Sequence, residues 1–234
     1  MKINNNKNPE QSGFMSARRK ILNQNSAFAA KEAYRTLRTN VSFALQGKGS
    51  KKICITSGAA GEGKSITLLN LAISVAEAGQ KVLLIDADLR RPALARLLVE
   101  KAAPGLSNVL AGLVDVEETI RKSGHDNLDI IFSGDIPPNP SELLGNDAMR
   151  QLVEQMSQKY DYILIDTPPV NMVSDVCVVA NLLDGVLLLA RQNSSKKDEL
   201  KQAVTSLQLT GAKLLGFVLN DATLSKGKAS YYYD

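Results

Sequence analysis

The sequence predicts an α/β fold in which a mostly parallel sheet carries helices on both faces. Short, continuous apolar runs such as KVLLID (81–86), YILIDT (162–167) and GVLLLA (185–190) have the composition of strands buried on both sides. Between them lie stretches with apolar residues at helical spacing, the alternation expected of βαβ units. The chain has 234 residues, 44% of them hydrophobic, enough for the core of one large domain.

Taken in order, residues 1–26 are polar and asparagine-rich with neither period, and read as a flexible arm. From Ala27 to Leu45 the apolar positions Ala30, Ala33, Leu37, Val41, Ala44 and Leu45 recur at three and four, an amphipathic helix ended by Gly47 and Gly49. Strands are then expected near 52–56, 81–86, 128–132, 161–166, 185–190 and 213–219. Helices are expected near 64–78, 92–99, 116–122, 146–159, 175–182 and 196–208. The domain therefore runs over 27–221, and residues 222–234 read as a mobile tail. The extended prolines of GDIPPNPSELL (134–144) predict a rigid loop of unassigned role.

Net charge is +4, with basic residues gathered at Arg18, Arg19 and Lys20 and again at Lys226 and Lys228. They are not interleaved with aromatics, so they favour an acidic partner only weakly, nucleic acid or an anionic membrane surface alike. Cys54 and Cys177 lie within apolar runs, as buried thiols in a reducing cytoplasm would. No apolar run approaches the roughly 20 residues needed to cross a bilayer, and no signal peptide opens the chain. Membrane association is therefore expected only through a partner.

The segment Gly58-Ala59-Ala60-Gly61-Glu62-Gly63-Lys64-Ser65 fits G-x-x-x-x-G-K-[ST] in full and sits between a strand and a helix. Glycines let such a loop wrap an anion with its N–H groups, and the helix that follows aims its positive end at the same place. Lys64 is placed to reach the β- and γ-phosphates, Ser65 to hold Mg²⁺, and Ile66 closes the nucleotide-contacting set. Two apolar strands also end in acid, at Asp86, with Asp88 two residues on, and at Asp166. A carboxylate at the tip of a buried strand is costly unless a cation or donors meet it, so these acids predict metal and proton chemistry beside the phosphate loop. If the extended geometry persists, Asp86 and Asp88 point to the same side. A purely structural role would have them cap the next helix or pair with Arg90 or Arg91.

With these motifs the chain resembles the bacterial tyrosine kinases (BY-kinases) that control capsule and exopolysaccharide synthesis, from about Ala30 to its end. The resemblance rests on the phosphate loop at 58–65, three apolar residues and D-x-D-x-R at Leu83–Arg90, ILIDTPP at 163–169, EAYRTLR at 32–38 and the terminal YYYD. It implies a P-loop NTPase architecture of the deviant Walker, MinD-like type. It also implies ATP and Mg²⁺, with Asp86 as the base that accepts a tyrosine's phenolic proton. Asp88 and Asp166 would arrange the metal, and Asn220 would contact the nucleotide base. Glu32, Arg35 and Arg38 match the subunit-contact motif, implying a homo-oligomeric ring, and Tyr231, Tyr232 and Tyr233 match the phosphorylated tail.

Without the family, Glu32, Arg35 and Arg38 would read as a solvated face with an i,i+3 ion pair worth about 0.2–0.5 kcal/mol. The family's usual activator is a transmembrane protein of the polysaccharide co-polymerase type, and protein tyrosines are its substrates; no nucleic-acid partner is expected. Two departures stand out: Ala60 replaces a common proline, and the tyrosine cluster is short. The rival readings are a partition or septum-positioning ATPase, which would carry lysine where Ala59 stands, and a nucleotide-dependent adaptor of a membrane polysaccharide complex.

Overall fold

Seven strands form the single sheet: β1 (Lys51–Ser57), β2 (Val82–Asp86), β3 (Ile120–Lys122), β4 (Leu128–Ile131), β5 (Tyr162–Asp166), β6 (Gly185–Arg191) and β7 (Leu214–Asn220). Their order across the sheet is β3-β4-β2-β5-β1-β6-β7 in this computed structural model, which describes residues 15–47 and 49–223. All neighbours run parallel except β3, which pairs antiparallel with β4 at one edge. The helices are α1 (Phe28–Ala44), α2 (Lys64–Ala76), α3 (Leu94–Leu98), α4 (Leu106–Leu110), α5 (Pro140–Leu144), α6 (Asp147–Ser157), α7 (Asp175–Ala180) and α8 (Lys197–Leu209).

Alternation along the strands divides the core in two. Ile53, Ile55, Leu84 and Leu164 face the layer of α1, α2 and α3, whereas Cys54, Leu83, Ile85, Ile163 and Ile165 face the layer containing α6, α7 and α8. Because both faces are covered, the central strands can be apolar at every position. Helix α2 is buried from Ile66 to Ala76, as a helix between a sheet and a second helix must be, and is apolar apart from a stripe of Thr67, Asn70 and Ser74. Its cover is α1, whose Arg38 donates from Nη1 to the Ser74 carbonyl at 2.6 Å, near the carbonyl-rich end of α2.

β1 and β2 send the chain into helices on one face, β5 and β6 into helices on the other. The loops at their carboxyl ends diverge, and the crevice between them is where ligands of such sheets collect.

The structure corrects several expectations. The helix expected over 116–122 is a 3₁₀ turn (Val116–Thr119) followed by β3. Glu118 closes the turn by accepting from the Asp115 N–H at 3.1 Å, and β-branched Ile120 then pairs opposite Ile131. The proline segment ends in helix α5, with Pro140 at the first helical position, where a missing N–H costs nothing. Helix α4 is too short to show a period. Its preceding residue, Gly105, lies so close to β4's exit that a Cβ there would sit 2.3 Å from the Phe132 carbonyl oxygen.

The arm expected over 1–26 is anchored in its described part. Leu22 is buried and donates its N–H to Asn70 Oδ1 at 2.8 Å, and Asn70 Nδ2 donates to the Lys20 carbonyl at 2.9 Å. One buried amide in the middle of α2 thus pairs both backbone groups of a passing segment. Asn70→Ala strands those groups, a loss of about 1–3 kcal/mol where they stay buried. Limited trypsin digestion should then cut after Lys20 well before the core is cleaved; a cleavage rate equal to the parent's would contradict the anchoring.

Candidate active site

The phosphate loop leaves β1 at Ser57 and re-enters regular structure at Lys64, the first residue of α2. Gly61 and Gly63 adopt φ of +77° and +101°, a left-handed backbone that disfavours side chains. Gly63 is also constrained from outside, since a Cβ there would sit 2.2 Å from Asn220 Nδ2. That amide donates to the Glu62 carbonyl at 2.8 Å, tying the end of β7 to the loop. Gly58 serves a different contact: a Cβ on it would lie 3.2 Å from the Glu199 carbonyl oxygen in α8.

An open cavity of about 1570 Å³ is lined by Ala60, Gly61, Glu62, Gly63, Lys64, Ser65 and Ile66, together with Asp88 and Asn220. Gly58, Ala59, Asp86 and Asp166 are not among its lining residues. The Glu62 carboxylate is buried and accepts from the Ser195 hydroxyl. Arg191 donates to the Gly61 carbonyl at 3.4 Å and to Asp221 at 2.8 Å, and Asp221 also holds Lys20 at 2.9 Å. Arg191, Ser195 and Asp221 brace the loop without belonging to any motif; the one sequence signal for Arg191 and Asp221 is their position just where two apolar strands end.

Asp86 and Asp166 stand opposite each other in the β2–β5 ladder, both fully buried. Asp86 accepts from the Leu94 N–H at 3.1 Å, at the first residue of α3, and from the Asp88 N–H at 3.3 Å. Leu83, Ile85, Ala87 and Leu89 all enter the same core layer, so the alternation carries on past the end of β2 and leaves Asp86 and Asp88 on the other, shared side; Asp88 lines the cavity while Asp86 is fully buried. Asp88 in turn accepts from the Arg91 N–H at 3.0 Å. The two acids thus do cap the local turns, but neither is taken by an arginine side chain, since Arg90 pairs with Asp175.

Asp166 differs from them, because neither of its oxygens meets a donor in full hydrogen-bond geometry among the described residues, the Ser65 hydroxyl and the Thr167 N–H acting on it only from nearby. Burial pushes its pKa up to about 7, with the Lys64 charge and the Ser65 hydroxyl pulling it down. Asp86 is held well above the usual carboxylate range, first by burial and then by the charge of Asp166. An orphaned buried carboxylate beside a serine hydroxyl offers oxygen ligands of the kind a hard divalent cation takes.

Of the remaining sequence-selected residues, Glu32 and Arg35 form an exposed ion pair at 2.6 Å, while Arg38 is turned onto α2. Tyr231, Tyr232 and Tyr233 lie outside the described residues.

The raised carboxylates set a pH dependence. An acid whose folded pKa exceeds its unfolded value of about 4 weakens the fold as pH rises through the interval between the two. For Asp166 that interval ends at about 7. In the absence of nucleotide and metal, the melting temperature should therefore fall between pH 5 and pH 8. Asp166→Asn should flatten that slope and raise stability at pH 8 by about 1–3 kcal/mol, the order of an unpaired buried polar group. A steeper slope in the variant would count against the assignment.

A family model described as an AAA domain matches residues 50–202. Tyrosine-protein kinase YwqD of Bacillus subtilis (strain 168) is 40% identical over 202 residues, covering 86% of this chain and 85% of that protein. Among solved structures, the kinase domain of Escherichia coli tyrosine kinase ETK superposes with a TM-score of 0.83 at 37% identity, covering 87% of this chain and 80% of that one. The chimerical protein CapA2B2 gives a TM-score of 0.81 at 34% identity, with 91% of each chain covered. These matches span the phosphate loop, both acid-tipped strands and the sheet that brings them together: the chain belongs to the bacterial tyrosine-protein kinases, on a P-loop AAA-type domain.

Proposed function

We propose that this tyrosine-protein kinase transfers the γ-phosphoryl group of ATP to tyrosine hydroxyls, its own Tyr231, Tyr232 and Tyr233 included. The observation that carries the proposal is the convergence of the phosphate loop, Asp88 and the in-register pair Asp86–Asp166 on one end of the sheet. The backbone donors from Gly58 to Ile66 and the Lys64 ammonium would hold the phosphates and neutralise charge that builds on the transferring group. Asn220 would turn from Glu62 to the nucleotide base. Ser65, Asp88 and Asp166 would hold Mg²⁺, which when bound draws charge off the phosphates. Asp86 would receive the phenolic proton: burial and the charge of Asp166 raise its pKa, which makes its carboxylate a stronger base toward a phenol of reference pKa about 10.

In this reading the kinase domain spans 27–221, with Glu32, Arg35 and Arg38 in contacts between subunits of a homo-oligomeric ring. The exposed Glu32–Arg35 pair is available for such contacts, whereas Arg38 would have to leave Ser74 or act by holding α1 in place. The tail after Asp221 extends at most about 40 Å, long enough to reach a neighbouring site. No described helix is long and apolar enough to cross a membrane. A membrane position would therefore be borrowed from an activator of the polysaccharide co-polymerase type, with capsule or exopolysaccharide synthesis as the process controlled.

Intact-mass measurement after incubation with Mg-ATP tests the chemistry. The parent should gain up to three phosphates, and Lys64→Met, Asp86→Ala and the triple Tyr→Phe tail variant should gain none on the tail. Steady phosphate release with no added mass would overturn the kinase reading in favour of an ATPase.

Native mass spectrometry tests the ring. Glu32→Ala with Arg35→Ala should shift the unphosphorylated protein to monomer, and each phosphate, adding about −1.5 to −2 charge, should do the same to the parent. An oligomer mass unchanged by either would remove the proposed interface.

A further inference from the structure

Asp175 is fully buried, at the first residue of α7, and its carboxylate takes a fork of two bonds from Arg90. Arg90 Nε donates to Oδ2 at 2.8 Å and Nη2 to Oδ1 at 3.1 Å. Ser141, in helix α5, closes the third side: its hydroxyl donates to Asp175 Oδ1 at 2.5 Å and accepts from Arg90 Nη2 at 3.0 Å. Three segments that share no backbone pairing therefore meet at one side-chain cluster. They are the loop after β2 that carries Asp88, the start of the helix that follows the loop after Asp166, and the end of the proline segment 134–144.

We infer that Asp175, completed by Ser141, is a positioning residue of the phosphotransfer reaction: it holds Arg90, and through Arg90 the Asp88 loop, in the geometry that transfer needs. The inference rests on the active-site reading above and assigns a role to the proline segment, which that reading leaves unused.

A buried carboxylate is an expensive way to join three segments. Against well-packed apolar residues of the same size a buried ion pair is about neutral for stability, so what it supplies is direction. The fork fixes Arg90 in both position and plane, which a lysine's single point charge would not do. Arg90 stands two residues beyond Asp88 and lines the same cavity. The Asp88 loop is also held by backbone donations to Asp86 and Asp88 from Leu94, Asp88 and Arg91, by the Ala87 N–H donating to the Asp166 carbonyl at 2.9 Å, and by the buried side chains of Ala87 and Leu89. Those contacts fasten it to its own strand and to β5. Among the described residues, the bond to Asp175 is the ion pair that fixes it to the far wall of the crevice.

The Arg90 charge also bears on the acids it flanks. Its guanidinium is raised further by Asp175 and by Asp88, so the cation persists at any working pH.

The test compares Asp175→Asn, Arg90→Lys, their double variant, Ser141→Ala and Ser141→Thr in the full-length protein. Binding is read with a fluorescent ATP analogue and turnover from the initial rate of tail phosphorylation. Asp175→Asn and Arg90→Lys should each lower turnover by about tenfold or more while analogue affinity stays within about threefold, a loss confined to the transfer step. The double variant should be no worse than the poorer single one, since each removes the same link. Ser141→Ala should lose activity that Ser141→Thr, which keeps the hydroxyl, restores.

Losses that add across the double variant, or affinity that falls in step with turnover, would overturn the inference. If Asp175→Asn fails to fold, the two Ser141 variants decide: equal activity in both would overturn it. Failure of the kinase reading is separately visible, because the parent protein itself would then gain no mass on incubation with Mg-ATP.

Discussion

The register of β2 against β5 governs this molecule. It sets Asp86 opposite Asp166 on neighbouring strands of a sheet covered on both faces, where neither carboxylate meets water. Two acids so placed resist ionising together, and the fold tolerates them because a lysine, a serine hydroxyl and backbone N–H groups converge on the same strand ends. A slip of one residue in that pairing would turn every side chain of the strand to the opposite face and bury apolar groups where the acids stand. The apolar runs on both strands are therefore the reason the acids meet at all.

Around this pair the crevice is assembled from parts fastened in different ways. The phosphate loop is gripped from several sides: by Asn220 at its crown, by Ser195 beneath Glu62, by Arg191 at Gly61 and by the close packing of Gly58 against α8. The Asp88 loop is held by its own turns, by Ala87 donating to the Asp166 carbonyl, by the buried side chains of Ala87 and Leu89, and by the fork to Asp175. One wall is thus fastened by side chains gripping a glycine-rich loop, the other by core packing and one ionic fork.

Much of this was legible in the sequence, and the reasons are local. The strands of the central sheet announce themselves because burial on both faces demands unbroken apolar runs such as VLLID and YILID. The phosphate loop announces itself because an anion cradle needs glycine at fixed offsets. What escaped depends on contacts between distant segments. Nothing about Asn70 distinguishes it from any polar residue in a helix until a passing backbone is seen to use both ends of its amide. The turn into β3 reads as helix from the sequence because four residues of 3₁₀ geometry and three of strand carry too little pattern to separate the periods. Asp175 has the sequence context of any acid at a helix start, and its role comes from Arg90, 85 positions away.

One last feature joins these parts into a mechanical series. Asp221, the residue directly after β7, is gripped by Lys20 on one side and Arg191 on the other, and Arg191 touches the phosphate loop itself. The strap ahead of the first helix and the root of the terminal segment are therefore fastened to one carboxylate. Both pairs are partly exposed and each alone adds little stability, but their shared carboxylate sets the strap, the root of the terminal segment and, one guanidinium further on, the phosphate loop in a single arrangement.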